Sequence, residues 1–197
     1  MMVVKNNKNK IFSILGLVFF LILSTGCSNK EEITAPKEYV EDIETENTVI
    51  WQGRLYHKVR IGNQTWIREN LDVGKWISSK QTQSNNGIIE KYYYEDDSLN
   101  YAYLGAYYQW NEAMNYDSTE GTRGICPPGW HIPTKAEFET LIKHVNSEGN
   151  ALKKLGVGDY GGIGNNLTGF SAELSGWYNI YYYGGLGGTG QFWSSTQ

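Results

Sequence analysis

The run Ile125-Cys126-Pro127-Pro128-Gly129-Trp130-His131-Ile132-Pro133-Thr134-Lys135-Ala136-Glu137-Phe138 fixes where the main helix begins. The Thr134 hydroxyl is placed to accept from the first turn, and Glu137, three residues on, to reach back to the Thr134 amide, which makes a capping box. A helix is therefore expected from Lys135. Phe138, Leu141, Ile142 and Val145 share its apolar face, Lys135, Glu139 and Lys143 face water, and the helix should stop near Ser147 to Gly149.

Working outward, Leu55, His57, Val59 and Ile61 alternate with Tyr56, Lys58 and Arg60, which is strand period. Gly62-Asn63 follows and then Gln64-Thr65-Trp66-Ile67-Arg68, so the segment predicts a β-hairpin with Trp66 as a core anchor. Lys75 to Asn100 is polar with no sustained period and is expected to be a long surface loop or irregular strand; its Asp96-Asp97 pair predicts a solvated turn, since no spaced carboxylate loop for calcium surrounds it. Apolar residues at 106, 107, 110, 113 and 114 predict a short buried helix. Beyond Leu155 the chain is rich in glycine and aromatic residues. This predicts irregular β structure and packed loops with rings set against glycine backbone.

At the other end, Lys5, Lys8 and Lys10 precede an apolar run from Ile11 to Leu23, the pattern of an export leader. Such a run would rise only about 20 Å as a helix, short of the roughly 30 Å hydrocarbon core of a bilayer. Leu23-Ser24-Thr25-Gly26-Cys27 resembles a lipobox, with Ser24 where leucine is usual. The expectation is a leader over residues 1–26 and an acyl-bearing Cys27, with ordinary cleavage or an uncleaved anchor as the alternatives. Ser28-Asn29-Lys30-Glu31-Glu32 resembles a short surface-export signal of some Gram-negative lipoproteins, or is a solvated linker. Residues 27–48 are acidic and poor in apolar side chains, which predicts a disordered tether ahead of a domain over 49–197.

Setting aside the leader's three lysines leaves 14 basic residues against 21 acidic, a net charge of −7 that argues against nucleic acid as a partner. The chain has two cysteines, so only Cys126 remains once Cys27 is acylated; no internal disulfide is expected, and a buried thiol is.

Several blocks together carry a resemblance: Ile61-Gly62-Asn63-Gln64-Thr65-Trp66, Glu69-Asn70-Leu71, Gly105 with Tyr108 to Trp110, the run from Ile125 to Thr134, Gly169-Phe170-Ser171-Ala172 and Phe192-Trp193-Ser194-Ser195-Thr196. In this order they resemble the Fibrobacter succinogenes major paralogous (FISUMP) domain. The Pro-Thr-x-x-Glu-Phe helix start is also similar to formylglycine-generating enzymes, whose fold is a variant of the C-type lectin fold. The resemblance implies an irregular α+β domain with two helices, loop-rich β structure and a loop-built binding face. Such domains usually continue past the Trp-Ser-Ser-Thr block to a closing strand with a second cysteine, so the last strand is expected to be missing here. Members are typically exported and often lipid-anchored, which implies an outer-membrane lipoprotein, in some cases displayed at the cell surface. They carry no agreed activity.

The three histidines, His57, His131 and His144, share no metal-ligand spacing, and His131 is expected to be a hydrogen-bonded structural residue at the helix entry. No catalytic residues, metal site or cofactor are expected. The late cysteine pair needed for formylglycine chemistry is absent from the sequence, which leaves an enzyme of that kind as a remote alternative. Glycan binding is the leading expectation, because tryptophan and tyrosine rings stack on the C–H faces of sugars, with Trp177, Tyr178, Tyr181, Tyr182 and Tyr183 as candidates. The other class is a module contacting an envelope or host protein, as an adhesin or structural subunit, since Tyr- and Gly-rich surfaces also suit proteins.

Overall fold

The computed structural model describes residues 4–6 and 42–197, except 160 and 180. The expected lipid site Cys27, the rest of the leader and residues 27–41 of the tether lie outside the described residues.

The main sheet is antiparallel and four-stranded: β1 (Val4–Asn6), β2 (Thr48–Trp51), β3 (Arg54–Ile61) and β4 (Gln64–Ile67), in spatial order β1-β4-β3-β2. Its two hairpins turn where the sequence tolerates positive φ. Gln52 (φ 47) and Gly53 (φ 74) join β2 to β3, and Gly62 (φ 58) starts the turn into β4.

Successive strand residues face opposite sides, and here both sides are covered. Val49, Trp51, Tyr56 and Ile67 enter one core with Leu71, Met114, Ile125 and Trp130. Ile61 and Trp66 enter a second with Val4, Leu141 and Phe170. The first half of β3 therefore departs from the alternation expected of it: Leu55 is 53% exposed and Tyr56 only 1%. Val4 belongs to the segment expected to be a leader, yet it is fully buried beside Trp66. The fold also begins before residue 49. Ile50 N donates to Ile43 O at 2.7 Å, and Glu44 is clasped by Lys5 and Lys58 at 2.8 and 3.0 Å, so residues 42–48 run along the sheet.

Two strands of two residues, β5 (Lys75–Trp76) and β6 (Glu90–Lys91), pair in parallel within the region expected to be a surface loop. Tyr92, Tyr93 and Tyr94, which close that region, are buried. Tyr92 pairs with Tyr107 through two backbone hydrogen bonds of 3.0 Å, which draws the segment inward. Asp97 caps α1 (Ser98–Tyr101), a helix beyond the two expected, by accepting from Leu99 N and Asn100 N. Asp96 instead accepts from Ser79 N at 2.7 Å and from the Ser78 and Ser79 hydroxyls.

Because Tyr107 is in that bridge, α2 is shorter than the apolar spacing suggests and spans Trp110–Ala113. The third helix, α3 (Lys135–His144), starts with the capping box intact: Glu137 N donates to the Thr134 hydroxyl at 3.2 Å and Thr134 N to Glu137 Oε2 at 2.9 Å. Leu141 and Val145 are buried and Phe138 packs against Trp66, but Ile142 is 46% exposed because the contact stripe is narrower than the apolar one. The late segment folds as loops around one hairpin, β7 (Trp177–Tyr178) and β8 (Tyr183–Gly184). Mixed helices and antiparallel sheet make this an α+β domain.

Candidate functional site

Three separate stretches meet around a cleft of about 460 Å³: Tyr92 with its bridge partner segment Ala106–Gln109, the strand β7 with Gly176 and Asn179, and residues 191–193. Each is held by contacts that the sequence encodes locally or at long range.

The β7–β8 hairpin owes its shape to Gly176 and Asn179. Gly176 has φ 77, and a Cβ there would lie 2.3 Å from the Gly184 carbonyl oxygen, so no side chain fits. The Asn179 side-chain carbonyl accepts from Tyr181 N and Tyr182 N at 2.8 and 2.9 Å and closes the turn. In this wall, Tyr178 stacks on Tyr183 with ring centroids 4.4 Å apart and meets Tyr92 edge-on at 5.3 Å. The Tyr178 hydroxyl donates to Ser79 O at 3.0 Å, and the Tyr107 hydroxyl to Ser175 O.

Another wall comes from residues 191–193, which run into the Trp-Ser-Ser-Thr block. Trp193 donates its indole N–H to Tyr108 O at 2.7 Å, and Trp110 donates its own to Ser194 O at 2.8 Å. Ser195 N donates to Pro133 O at 2.8 Å, and Lys135 N to the Thr196 hydroxyl at 2.9 Å, which ties this end of the chain to the start of α3. Tyr108 is locked from behind by Val73, whose N–H it accepts at 2.8 Å and whose carbonyl it bonds at 2.8 Å.

The structure divides the five sequence candidates. Trp177 and Tyr178 line the cleft. Tyr182 sits edge-on against Trp177 with centroids 5.3 Å apart, while Tyr181 projects into solvent at 82% exposure. Tyr183 is outside the lining and forms a pillar with Tyr94, Tyr107 and Tyr178. Phe192, Trp193, Gln109 and Gln191 also line the cleft, although none was among the five. Trp193 is 45% exposed, so its ring is presented rather than buried.

The lining consists of rings, amides and backbone and has no carboxylate, ammonium, guanidinium or imidazole. Burial pushes the Tyr92, Tyr107 and Tyr108 phenols up, which keeps them neutral donors. The arrangement can stack flat apolar faces and exchange hydrogen bonds with hydroxyls.

Other candidates are engaged elsewhere. His131 bonds Glu137 at 2.9 Å at the helix entry, His57 bonds Glu69 at 2.7 Å, and Cys126 is fully buried, a burial that pushes its thiol well up. No group of three or more His, Cys, Asp or Glu that could hold a metal occurs among the described residues. None of the described helices is long and apolar enough to cross a membrane.

The model of the Fibrobacter succinogenes major domain matches residues 59–197. The chain belongs to that family. No curated protein and no solved structure matches it. Within this Fibrobacter succinogenes major domain, the matched span begins in β3 and includes every wall of the cleft.

Proposed function

We propose that the protein is an exported envelope lipoprotein, tethered through Cys27 at the outer membrane with its domain displayed outward, and that the aromatic cleft binds glycans. The observation that carries the binding half is the lining itself: Trp177, Tyr178, Phe192 and Trp193 offer ring faces, Gln109, Asn179 and Gln191 offer amides, and no carboxylate, amine or imidazole is among them. Pyranoses present apolar C–H faces edged by hydroxyls, and this lining complements both. General acid–base chemistry draws most often on histidine or a carboxylate, and the lining has neither, which favours binding over catalysis. The loop-built face over a small antiparallel sheet and a capped helix supports the finer reading of the fold as a C-type-lectin-like variant.

The test is an array of bacterial, plant and host glycans probed with protein purified from the envelope. Binding should weaken by tenfold or more in both Trp177→Ala and Trp193→Ala, the equivalent of about 1.4 kcal/mol. A protein that binds no glycan, or binds equally after both changes, contradicts the cleft reading. Metabolic labelling with a clickable fatty acid tests the tether: label on the wild type and none on Cys27→Ser is expected.

A further inference from the structure

The strand β1 occupies an internal position that its own chain will not keep if the leader is removed before Cys27. Val4–Asn6 pairs with β4 in the register Val4↔Trp66, Lys5↔Thr65, Asn6↔Gln64. On its other side Val4 N donates to His131 O at 3.3 Å and His131 N to Val4 O at 3.2 Å. The Val4 side chain is fully buried with Trp66, Leu141 and Phe170. Lys5 bonds both Glu44 oxygens, at 2.8 and 2.9 Å, and lies 5.7 Å from the Trp130 ring centroid. Loss of β1 would open an apolar socket, expose the ladder groups of β4 and His131, and take one of the two lysines from Glu44.

We propose that this slot is a strand-accepting site, and that in the matured protein it takes an extended segment of another polypeptide, with an aliphatic residue in the Val4 socket followed by a lysine or arginine. The proposal rests on the leader reading above. Backbone pairing on both sides supplies affinity, while the socket and Glu44 select the side chains. The tether does not match that pattern. Its lysines in residues 27–41, Lys30 and Lys37, follow Asn29 and Pro36, and Pro36 has no N–H to give the His131 carbonyl. Val40 is followed by Glu41, which would set a carboxylate against Glu44.

The experiment uses protein purified from the envelope, its N-terminus read by mass spectrometry, and synthetic peptides MMVVKNNKNK, its Val4→Asp form and its Lys5→Glu form. Tryptophan emission reports binding, and hydrogen exchange at Gln64–Ile67 and His131 reports the site. The expected result is a chain starting at Cys27 that binds the first peptide with protection of those amides, the Val4→Asp peptide at least tenfold more weakly, and the Lys5→Glu peptide several-fold more weakly. If the matured chain is unfolded alone, refolding by the first peptide and not by the Val4→Asp form is the supporting result. A chain starting at Cys27 that ignores all three peptides, or responds to them equally, overturns the slot and leaves the leader reading intact. A chain that retains residues 1–26 overturns the leader reading, and the slot is then its own.

Discussion

Asp72→Asn probes the charged network behind the cleft wall. The Asp72 side chain is 2% exposed and bonds Arg54, Lys91 at 2.6 Å and the Tyr93 hydroxyl at 2.9 Å. It immediately precedes Val73, the residue that clamps Tyr108. The amide keeps the shape but removes the charge that holds two cations together. Breaking a buried pair in this way costs about 3–5 kcal/mol, a large part of the about 5–15 kcal/mol that holds a typical domain folded. At about 2–4 °C per kcal/mol for a chain of this size, the midpoint of thermal unfolding should fall by about 6–20 °C. Burial, and then the Arg54 charge, holds the Lys91 ammonium down to about 8. Unfolded Lys91 keeps its proton to 10.5 and the folded one to about 8, so its contribution makes stability rise with pH between those values, and the penalty of the variant should shrink there. Adding Lys91→Met should return about half of the loss, since the two sites share one network. Near-ultraviolet circular dichroism follows the surrounding tyrosines. A midpoint shift under about 2 °C, or no recovery in the double variant, refutes the reasoning.

Three further outcomes follow from single positions. Gly176→Ala should cost about 1–3 kcal/mol in a denaturant titration and weaken glycan binding, because φ 77 and the Gly184 carbonyl leave no room for a methyl group. Burial pushes Glu137 up, but hydrogen bonds from His131 and Thr134 outweigh it and hold the carboxyl below 4.5; its contribution is therefore present above 4.5 and lost as pH falls through the lower folded value, so Glu137→Gln should flatten the acid limb of a stability–pH profile. Cys126, fully buried with its thiol pushed up, should resist Ellman's reagent in the native protein and react at once in guanidinium chloride.

Local rules were legible and long-range ones were not. Thr134 and Glu137 announce a helix start because both partners lie within one turn, and the cap stands as read. Gly62 likewise marks the hairpin and Trp66 its core anchor. The burial of Tyr92–Tyr94 was hidden because it depends on the bridge to Tyr107, which polar neighbours in the sequence do not foretell. Strand parity failed at Tyr56 because β3 serves two cores on opposite faces, and a single alternation assumes one. In the cleft, Tyr181, Tyr182 and Tyr183 are alike as letters. Their fates, in solvent, against Trp177 and in the pillar, are set by the Asn179 turn and the pairing of Tyr178 with Tyr183. Trp193 gained its role only through Tyr108, far away in the chain.

The indole N–H signals of the seven tryptophans offer the most direct view of the cleft. In a nitrogen–proton correlation spectrum titrated with a glycan that the array identifies, the Trp177 and Trp193 signals should move together while those of buried Trp51, Trp66 and Trp130 stay in place. Saturable shifts confined to other tryptophans, or unchanged Trp177 and Trp193 signals while glycan is bound, would contradict the assignment of this cleft as the binding site.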